Sequence, residues 1–320
     1  VCRVRAIVDE DAARLRAVAE AAGFDGPLFT SLDDYLKAGL CHATMVVTPT
    51  EHHQGHAMAL VRAGHRVLME KPLTGTLAGD VACCAELDRD YPNSLMLAFQ
   101  RRFDPALAYG KQLVEQGAIG RMLKIYSALE DSGPPPDAYQ SGGILPDMSV
   151  HNVDEILWFA GRMPDRAMAV GSVLHNKHIA KCQEDFDDAM LYMWFGEELQ
   201  GQVQVTRNHV SGYRVESIVY GDQGQIQIGR FSQRPQEIVV EAFGRRGAAA
   251  PIERRVFPGG KGGVDAPEFQ ERFGPAYKAE AAAFIDCCRT GEPFPTSHRD
   301  GLRAQQVIEA GMSEIGRAHV

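Results

Sequence analysis

Short apolar runs separated by helical periodicities open the chain. Val4, Ala6 and Val8 alternate with Arg3, Arg5 and Ile7, a period of two that predicts a strand over residues 1–8, closed by Asp9. Ala13, Leu15, Val18, Ala21 and Ala22 recur at helical spacing and predict a helix from Glu10 to Ala22. Leu28-Phe29 reads as a short strand, and Ser31 caps a short helix over Leu32 to Ala38. Ala43 to Val47 is a buried strand, His53 to Ala63 a helix ended by Gly64, and Val67 to Glu70 another strand. Thr74 or Thr76 caps a helix to about Leu87, and Leu95 to Phe99 is the next strand. Strands and helices that alternate in this way predict a parallel sheet covered on both faces.

After Asp104-Pro105 the texture changes. A helix over Ala106 to Gln116 stops at Gly117, Met122 to Leu129 is a strand, and Pro134-Pro135-Pro136 makes a rigid loop. One helix follows near Asp147 to Ala160. Strands then come in series: Ala167 to Val173, Asp187 to Trp194, Gln200 to Thr206, Arg214 to Tyr220, Gln225 to Ile228 and Glu237 to Ala242. Gly221-Asp222-Gln223-Gly224 is a hairpin signal between two of them. Arg245 to Gly263 is glycine-rich and reads as a mobile loop, and helices over Tyr277 to Cys288 and Arg299 to Met312 close the chain. The pattern predicts two domains: an α/β Rossmann-like domain over 1–101, and an α+β domain over 102–313 built on a large open, mainly antiparallel sheet.

Composition narrows the function. The chain has 320 residues and a formal net charge of −9. Scattered Lys and Arg give no basic footprint for nucleic acid or anionic membrane. No apolar run approaches the roughly 20 residues of a bilayer span, and no signal peptide is visible. The seven cysteines are odd in number, include two adjacent pairs and form no C-x-x-C. Reduced, packed thiols in a cytoplasmic protein fit this better than a disulfide framework. Glu314 to Val320 matches the translation of a common sequencing-adaptor read, and is expected to be a read-through scar outside the fold.

Three stretches carry candidate chemistry. In Gly142-Gly143-Ile-Leu-Pro-Asp147-Met-Ser-Val-His151-Asn-Val-Asp154, the spacings i, i+4 and i+7 put Asp147, His151 and Asp154 on one helix face. A carboxylate one turn before a His can orient the ring for general-base work; a solvated polar face with a capping Asp reads the same spacing equally well. Glu70-Lys71-Pro72 ends a buried strand, where ligands bind in parallel sheets. Lys71 there is either a fixed positive donor for a hydroxyl or half of an ordinary surface ion pair. Thr48-Pro49-Thr50-Glu51-His52-His53 ends another strand. With His56 it has some look of a metal cluster, but it lacks H-E-x-x-H, a Cys ligand or a spaced third carboxylate, so a cofactor-contacting loop and no metal is the expectation. Asp9 stands where a dinucleotide fold places the acidic residue for the adenosine ribose, at the end of its second strand. No G-x-G-x-x-G is present. On this reading strand one and its glycine loop belong upstream of Val1, and residues 1–313 alone are expected to bind NAD weakly and to aggregate.

Together these stretches resemble the glucose–fructose oxidoreductase / inositol dehydrogenase (Gfo/Idh/MocA) family. The resemblance runs from about Val4 to Met312. It rests on Val8-Asp9, Thr48-Pro49-Thr50 with His53, Glu70-Lys71-Pro72, Gln100-Arg101-Arg102-Phe103-Asp104, the three prolines, and Gly142-Gly143 through Asp147 and His151. Gly212-Tyr213-Arg214 brings it nearest to inositol 2-dehydrogenases. The resemblance implies a Rossmann domain, a sheet domain whose last helix returns to the first, a nicotinamide cofactor, and oxidation of a secondary hydroxyl on a cyclic polyol or sugar. It implies catalytic roles for Lys71, Asp147 and His151, cofactor contacts from Asp9, Thr48, Pro49, His53, Glu70 and Lys71, and substrate contacts from Asp131 and Tyr213. Where the family usually reads Ser-Arg-Asp-Pro, this chain has Leu129-Glu130-Asp131-Ser132, so Glu130 changes the charge expected near the pocket. Gln100 replaces the usual Asn.

Two other readings stay open. One is a family member that uses the nicotinamide transiently to cleave glycosidic bonds; the other is a non-catalytic ligand binder, against which the intact Lys71, Asp147 and His151 argue. Asp9-Glu10-Asp11 sets three carboxylates beside the ribose site with no evident Arg clamp, which favours NAD over NADP. The open sheet face favours a homodimer or homotetramer.

Overall fold

The computed structural model describes residues 2–133, 142–176, 185–231, 237–245, 251–260 and 267–313. Pro134-Pro135-Pro136, Cys182 and Glu314 to Val320 lie outside the described residues. The chain divides into two compact units. The first holds the residues up to Thr74 with Ala78–Ala98 and Ala282–His298; the second holds Gly75–Leu77, Phe99–Ala281 and the residues from Arg299 on.

In the first unit every paired strand is parallel. β1 (Ile7–Val8) pairs with β2 (Leu28–Phe29). β3 (Ala43–Val46), β4 (Arg66–Glu70) and β5 (Leu95–Ala98) form a second sheet in that order. Val67, Met69 and Leu95 to Leu97 are all but fully buried, as expected where helices cover both faces. Those helices are α1 (Ala12–Ala21), α2 (Leu32–Ala38), α3 (Thr50–Arg62) and α4 (Leu77–Asp90). The caps follow the sequence. The Asp11 carboxylate accepts from the N–H groups of Ala13 and Arg14, Ser31 Oγ accepts from Asp34 N–H, and α2 ends on Gly39 at φ 59°. The expected strand over residues 1–8 shrinks to Ile7–Val8. Alternation supplies a face but a ladder needs a partner, and β2 offers only two residues.

The second unit is built on eight strands in the order β13-β12-β11-β10-β6-β9-β8-β7. These are β6 (Met122–Glu130), β7 (Arg166–Ser172), β8 (Asp188–Phe195), β9 (Leu199–Thr206), β10 (Arg214–Gly221), β11 (Gln225–Ile228), β12 (Glu237–Phe243) and β13 (Glu253–Pro258). Every pair is antiparallel except β6 with β9. The hairpin predicted at Gly221–Gly224 joins β10 to β11, with Gly221 N–H donating to Gly224 O at 2.8 Å. β13 corrects the reading of Arg245 to Gly263 as one loop. It is an edge strand of Glu-Arg-Arg-Val-Phe-Pro, and its charges keep the edge soluble while erasing the apolar alternation that would have marked it. α5 (Pro105–Glu115) packs on β11 to β13, and α6 (Val150–Ala160) packs on β6 and β9. On β8 the apolar side chains Ala189, Leu191, Met193 and Phe195 point to the buried face, while Met190, Tyr192 and Trp194 are only half-buried on the other. α7 (Glu268–Thr290) starts before the expected Tyr277, with Pro275 inside it masking its first turns, and α8 (His298–Ser313) follows.

Candidate active site

The candidate residues of the first unit all stand at strand ends. Asp9 follows β1, and its two carboxylate oxygens accept from Arg14 Nε and Nη2 at 2.8 Å each. Hydrogen bonding to Arg14 holds the Asp9 carboxyl below its ordinary value. An Arg therefore does clamp this carboxylate, which the run Asp9-Glu10-Asp11 did not reveal. Thr48 and Pro49 follow β3 and lead into α3. His53, on α3, is buried, with its ring nitrogens 2.8 Å from Thr48 O and 2.7 Å from Pro72 O. Both nitrogens are spent on backbone, so His53 ties the loop after β3 to the Glu70-Lys71-Pro72 turn and serves a ligand only through those loops. Lys71 N–H donates to Glu70 Oε2 at 3.3 Å. Burial raises the Glu70 carboxyl, with Lys71 and His53 opposing. His52 and His56 stack at 5.4 Å, and His56 Nδ1 lies 3.3 Å from Thr48 Oγ1. Burial, then the neighbouring His52 and His53, lower the His56 pKa. Among the described residues no three His, Cys, Asp or Glu side chains converge as a metal site requires.

In the second unit the run from Gly142 forms a π-type turn, Leu145–Ser149, that leads directly into α6. Gly142 and Gly143 take φ of 77° and 108°, and a Cβ on Gly143 would sit 2.9 Å from Asp185 Oδ1. The Asp185 carboxylate accepts from Ile144 N–H and so fixes the start of this turn. Asp147 Oδ2 lies 3.4 Å from Arg207 Nη2. His151 stands edge-on to Phe99 at 6.5 Å. The shared polar face is only partly as spacing suggests. Asp154 is fully buried and clamped by Arg102 at 2.5 and 2.9 Å, with Asp300 on the same guanidinium at 3.0 Å. It is therefore a structural ion pair and not a solvated carboxylate. Val150, Val153 and Leu157 pack inward as expected.

Alternation along the central strands sorts the remaining residues by face. Ser127 of β6 and Ser217 of β10, opposite each other, both reach α6. Ser127 Oγ accepts from Asn152 Nδ2 at 2.8 Å and Ser217 Oγ donates to Glu155 Oε1 at 2.5 Å. Arg101 completes this buried network, 2.8 Å from Glu155 Oε2. Asp131 continues that face past the end of β6. The Tyr213 hydroxyl is pushed up by burial, with Arg101 opposing and Asp131 adding to the rise, so Tyr213 and Asp131 lie in the same neighbourhood. Glu130 points the other way. It meets Arg214 at 3.1 Å and His209 at 3.7 Å, on the face where Arg214 also holds Glu216. The charge that replaces the usual Arg is thus neutralised away from Asp131, which corrects the expectation that it alters the pocket. Arg207 and the Arg101–Glu155 network were missed in the sequence, where a lone Arg after a strand and a Glu inside a helix carry no periodic signal.

The chemistry of these groups fits a nicotinamide dinucleotide in part. Asp9 offers carboxylate oxygens at a strand end, as a ribose diol requires, and Glu70, Lys71, Thr48 and Pro49 line up at the ends of adjacent parallel strands. The N-terminus of α1 is already capped by Asp11 and offers no pyrophosphate cradle.

Comparison with known proteins agrees. Residues 2–90 match the model described as "Oxidoreductase family, NAD-binding Rossmann fold", and residues 111–317 match "Oxidoreductase family, C-terminal alpha/beta domain". The chain is 29% identical over 252 residues to scyllo-inositol 2-dehydrogenase (NAD(+)) of Bacillus subtilis (strain 168), covering 78% of this chain and 68% of that one. It is 30% identical over 301 residues to myo-inositol 2-dehydrogenase of Thermotoga maritima, covering 93% and 84%. Its fold is that of the scyllo-inositol dehydrogenase from Lactobacillus casei solved with NAD(H) and scyllo-inositol, at TM-score 0.81 and 24% identity over 98% of this chain and 89% of that one. A Rossmann unit with Glu70-Lys71-Pro72 at a strand end, a large mixed sheet packed by the helix of His151, and two matching family models lead to one conclusion: the chain belongs to the Gfo/Idh/MocA oxidoreductase family.

Proposed function

We propose that the protein oxidises a secondary hydroxyl of a cyclic polyol or sugar of the inositol class, with NAD as the hydride acceptor. The observation that carries this reading is the presence of Lys71, Asp147 and His151 in a chain similar to proteins named scyllo-inositol and myo-inositol 2-dehydrogenase. NAD supplies the site that receives the hydride; the remaining chemistry belongs to the chain. Asp9 would hold the adenosine ribose, and the strand-end groups Thr48, Pro49, Glu70 and Lys71 would line the cofactor's path, with His53 fixing the loops that carry them.

His151 takes the hydroxyl proton. Its imidazole is the side chain in this set suited to base work near neutral pH. Asp147 orients the ring or accepts a second hydroxyl, while the Lys71 ammonium donates to the reacting oxygen and stabilises the charge that develops there. Asp131 and Tyr213 bind the rest of the ring. The half-buried sheet face of Met190, Tyr192 and Trp194 supports an assembly of two or four copies. The unpaired cysteines among the described residues support a cytoplasmic location.

The test uses the full-length protein. His151→Ala should lower kcat by about 10²–10⁴ while NAD affinity stays near wild type. Lys71→Met should lower kcat as well, since it removes the donor and keeps the stem. Unchanged kcat in both variants, with only thermal stability altered, contradicts the assignment.

A further inference from the structure

Arg207 follows β9 and has no role in the chemistry above. Its backbone N–H donates to Asp187 O at 2.9 Å. On the other side Asp131 N–H donates to Thr206 O at 2.8 Å and His209 N–H to Asp131 O at 3.0 Å, so the β6–β9 ladder continues past Thr206 with Arg207 opposite Asp131. Alternation then sends Arg207 to the face of Val203 and Val205, the face covered by α6. There its side chain is 2% exposed. Nη2 reaches Asp147 Oδ2 only at 3.4 Å, and Nε and Nη1 are buried with no hydrogen-bond partner among the described residues.

Nine in ten buried polar groups in folded proteins are satisfied, and a buried cation demands more compensation than a neutral group. Other buried arginines of this unit have such compensation. Arg272 holds Asp104 at 2.6 Å and lies over the Phe273 ring at 4.4 Å. Arg101 also keeps two nitrogens unspent, yet it holds Glu155 at 2.8 Å and faces Phe273. Arg207 has one long carboxylate contact and, among the described residues, no ring beneath it. Its position, between Asp147 and the register place of Asp131, is where a substrate ring would present oxygens.

We propose that Arg207 is a substrate-binding and specificity-determining residue. One of its two unspent donors, Nε or Nη1, donates to an oxygen on a ring carbon next to the one oxidised. The substrate class is thereby narrowed to rings that carry an oxygen acceptor, hydroxyl or carboxylate, at that neighbouring carbon; an amine or bare methylene there is rejected. The polyol pocket and the oxidised carbon both rest on the reading under Proposed function; the two buried guanidinium nitrogens without a partner among the described residues do not.

The test pairs variants with substrates lacking one hydroxyl each. In the full-length protein, one monodeoxy cyclic polyol should lose about 10- to 100-fold in kcat/KM, the range for a hydrogen bond to a charged donor. Arg207→Met should lose a similar factor on the parent polyol, mostly through KM, and almost nothing further on that one analogue. The other analogues should lose independently. Arg207→Lys keeps the charge but not the planar fork and should fall between. Equal, additive losses on every analogue, with a lowered Tm, overturn the proposal. Ligand-observed NMR of the same polyols reads binding without turnover. Should no polyol be oxidised, the reaction assigned above fails; Arg207 is then judged by whether Arg207→Met weakens binding selectively for polyols bearing the one hydroxyl, and uniform or absent weakening overturns it.

Discussion

At the residue scale, several candidate site residues are held by partners that the sequence does not place beside them. Asp9 stands out in the sequence as an acidic residue closing a strand, and Arg14 as the first basic residue to examine near it; the bond between them does not, since five residues of separation say nothing about side-chain reach. The pair makes a prediction. The ribose contact proposed for Asp9 should keep NAD preferred over NADP, but Arg14, 2.8 Å from that carboxylate, offers a 2′-phosphate a cationic partner. Arg14→Ala should therefore lower binding of 2′,5′-ADP while leaving ADP binding near wild type, measured by calorimetry. Equal binding of both nucleotides before and after the change contradicts it. His53 teaches the complementary lesson. Its place in a Thr-Pro-Thr-x-x-His run suggests ligand contact, yet its two nitrogens end on the Thr48 and Pro72 carbonyls, a fact visible only once β3 and β4 are side by side.

At the scale of elements, α6 and the turn before it combine candidate site residues with structural ones. Spacing correctly gave a helix with Val150, Val153 and Leu157 inward, and it grouped Asp147, His151 and Asp154. It could not show that Arg102 waits for Asp154, because that partner comes from a different part of the chain. Burial pushes the Asp154 carboxyl up to about 6, and the attraction of Arg102 only partly offsets it. A carboxyl raised in the folded state binds its proton more tightly there than when unfolded. Its contribution to stability is thus full below its ordinary value and is lost as pH rises through about 6. Asp154→Asn should remove that part of the pH dependence, so that the difference in Tm between variant and wild type changes between pH 4 and pH 7. A difference constant across that range contradicts this account. The strand β13 was illegible for a related reason: an edge needs charges more than it needs apolar alternation, and Glu-Arg-Arg carries none of the pattern of a core strand.

The molecule as a whole was largely legible because its two units differ in rhythm. Strand–helix alternation with buried runs such as Val67 to Met69 forces parallel pairing, and a series of strands with polar alternate positions, as in Leu199 to Thr206, forces a sheet with one covered face. The candidate site residues stand out in the sequence where a motif adjoins an element, at Glu70-Lys71 at the end of β4 and at Asp147 and His151 where the turn enters α6. It was hidden where the register of a sheet does the sorting, as with Glu130 turned toward Arg214 and Arg207 turned toward Asp147. The central claim is hydride transfer from a ring carbon with His151 as base. The most direct measurement gives the full-length protein NAD and a cyclic polyol deuterated at its carbinol carbons, and follows both absorbance of the reduced nicotinamide and deuterium in it. The account predicts net reduction with deuterium in the cofactor, slowed about 10²–10⁴-fold in His151→Ala. Reduction at an undiminished rate in that variant, or no net reduction with any cyclic polyol or sugar, would contradict it.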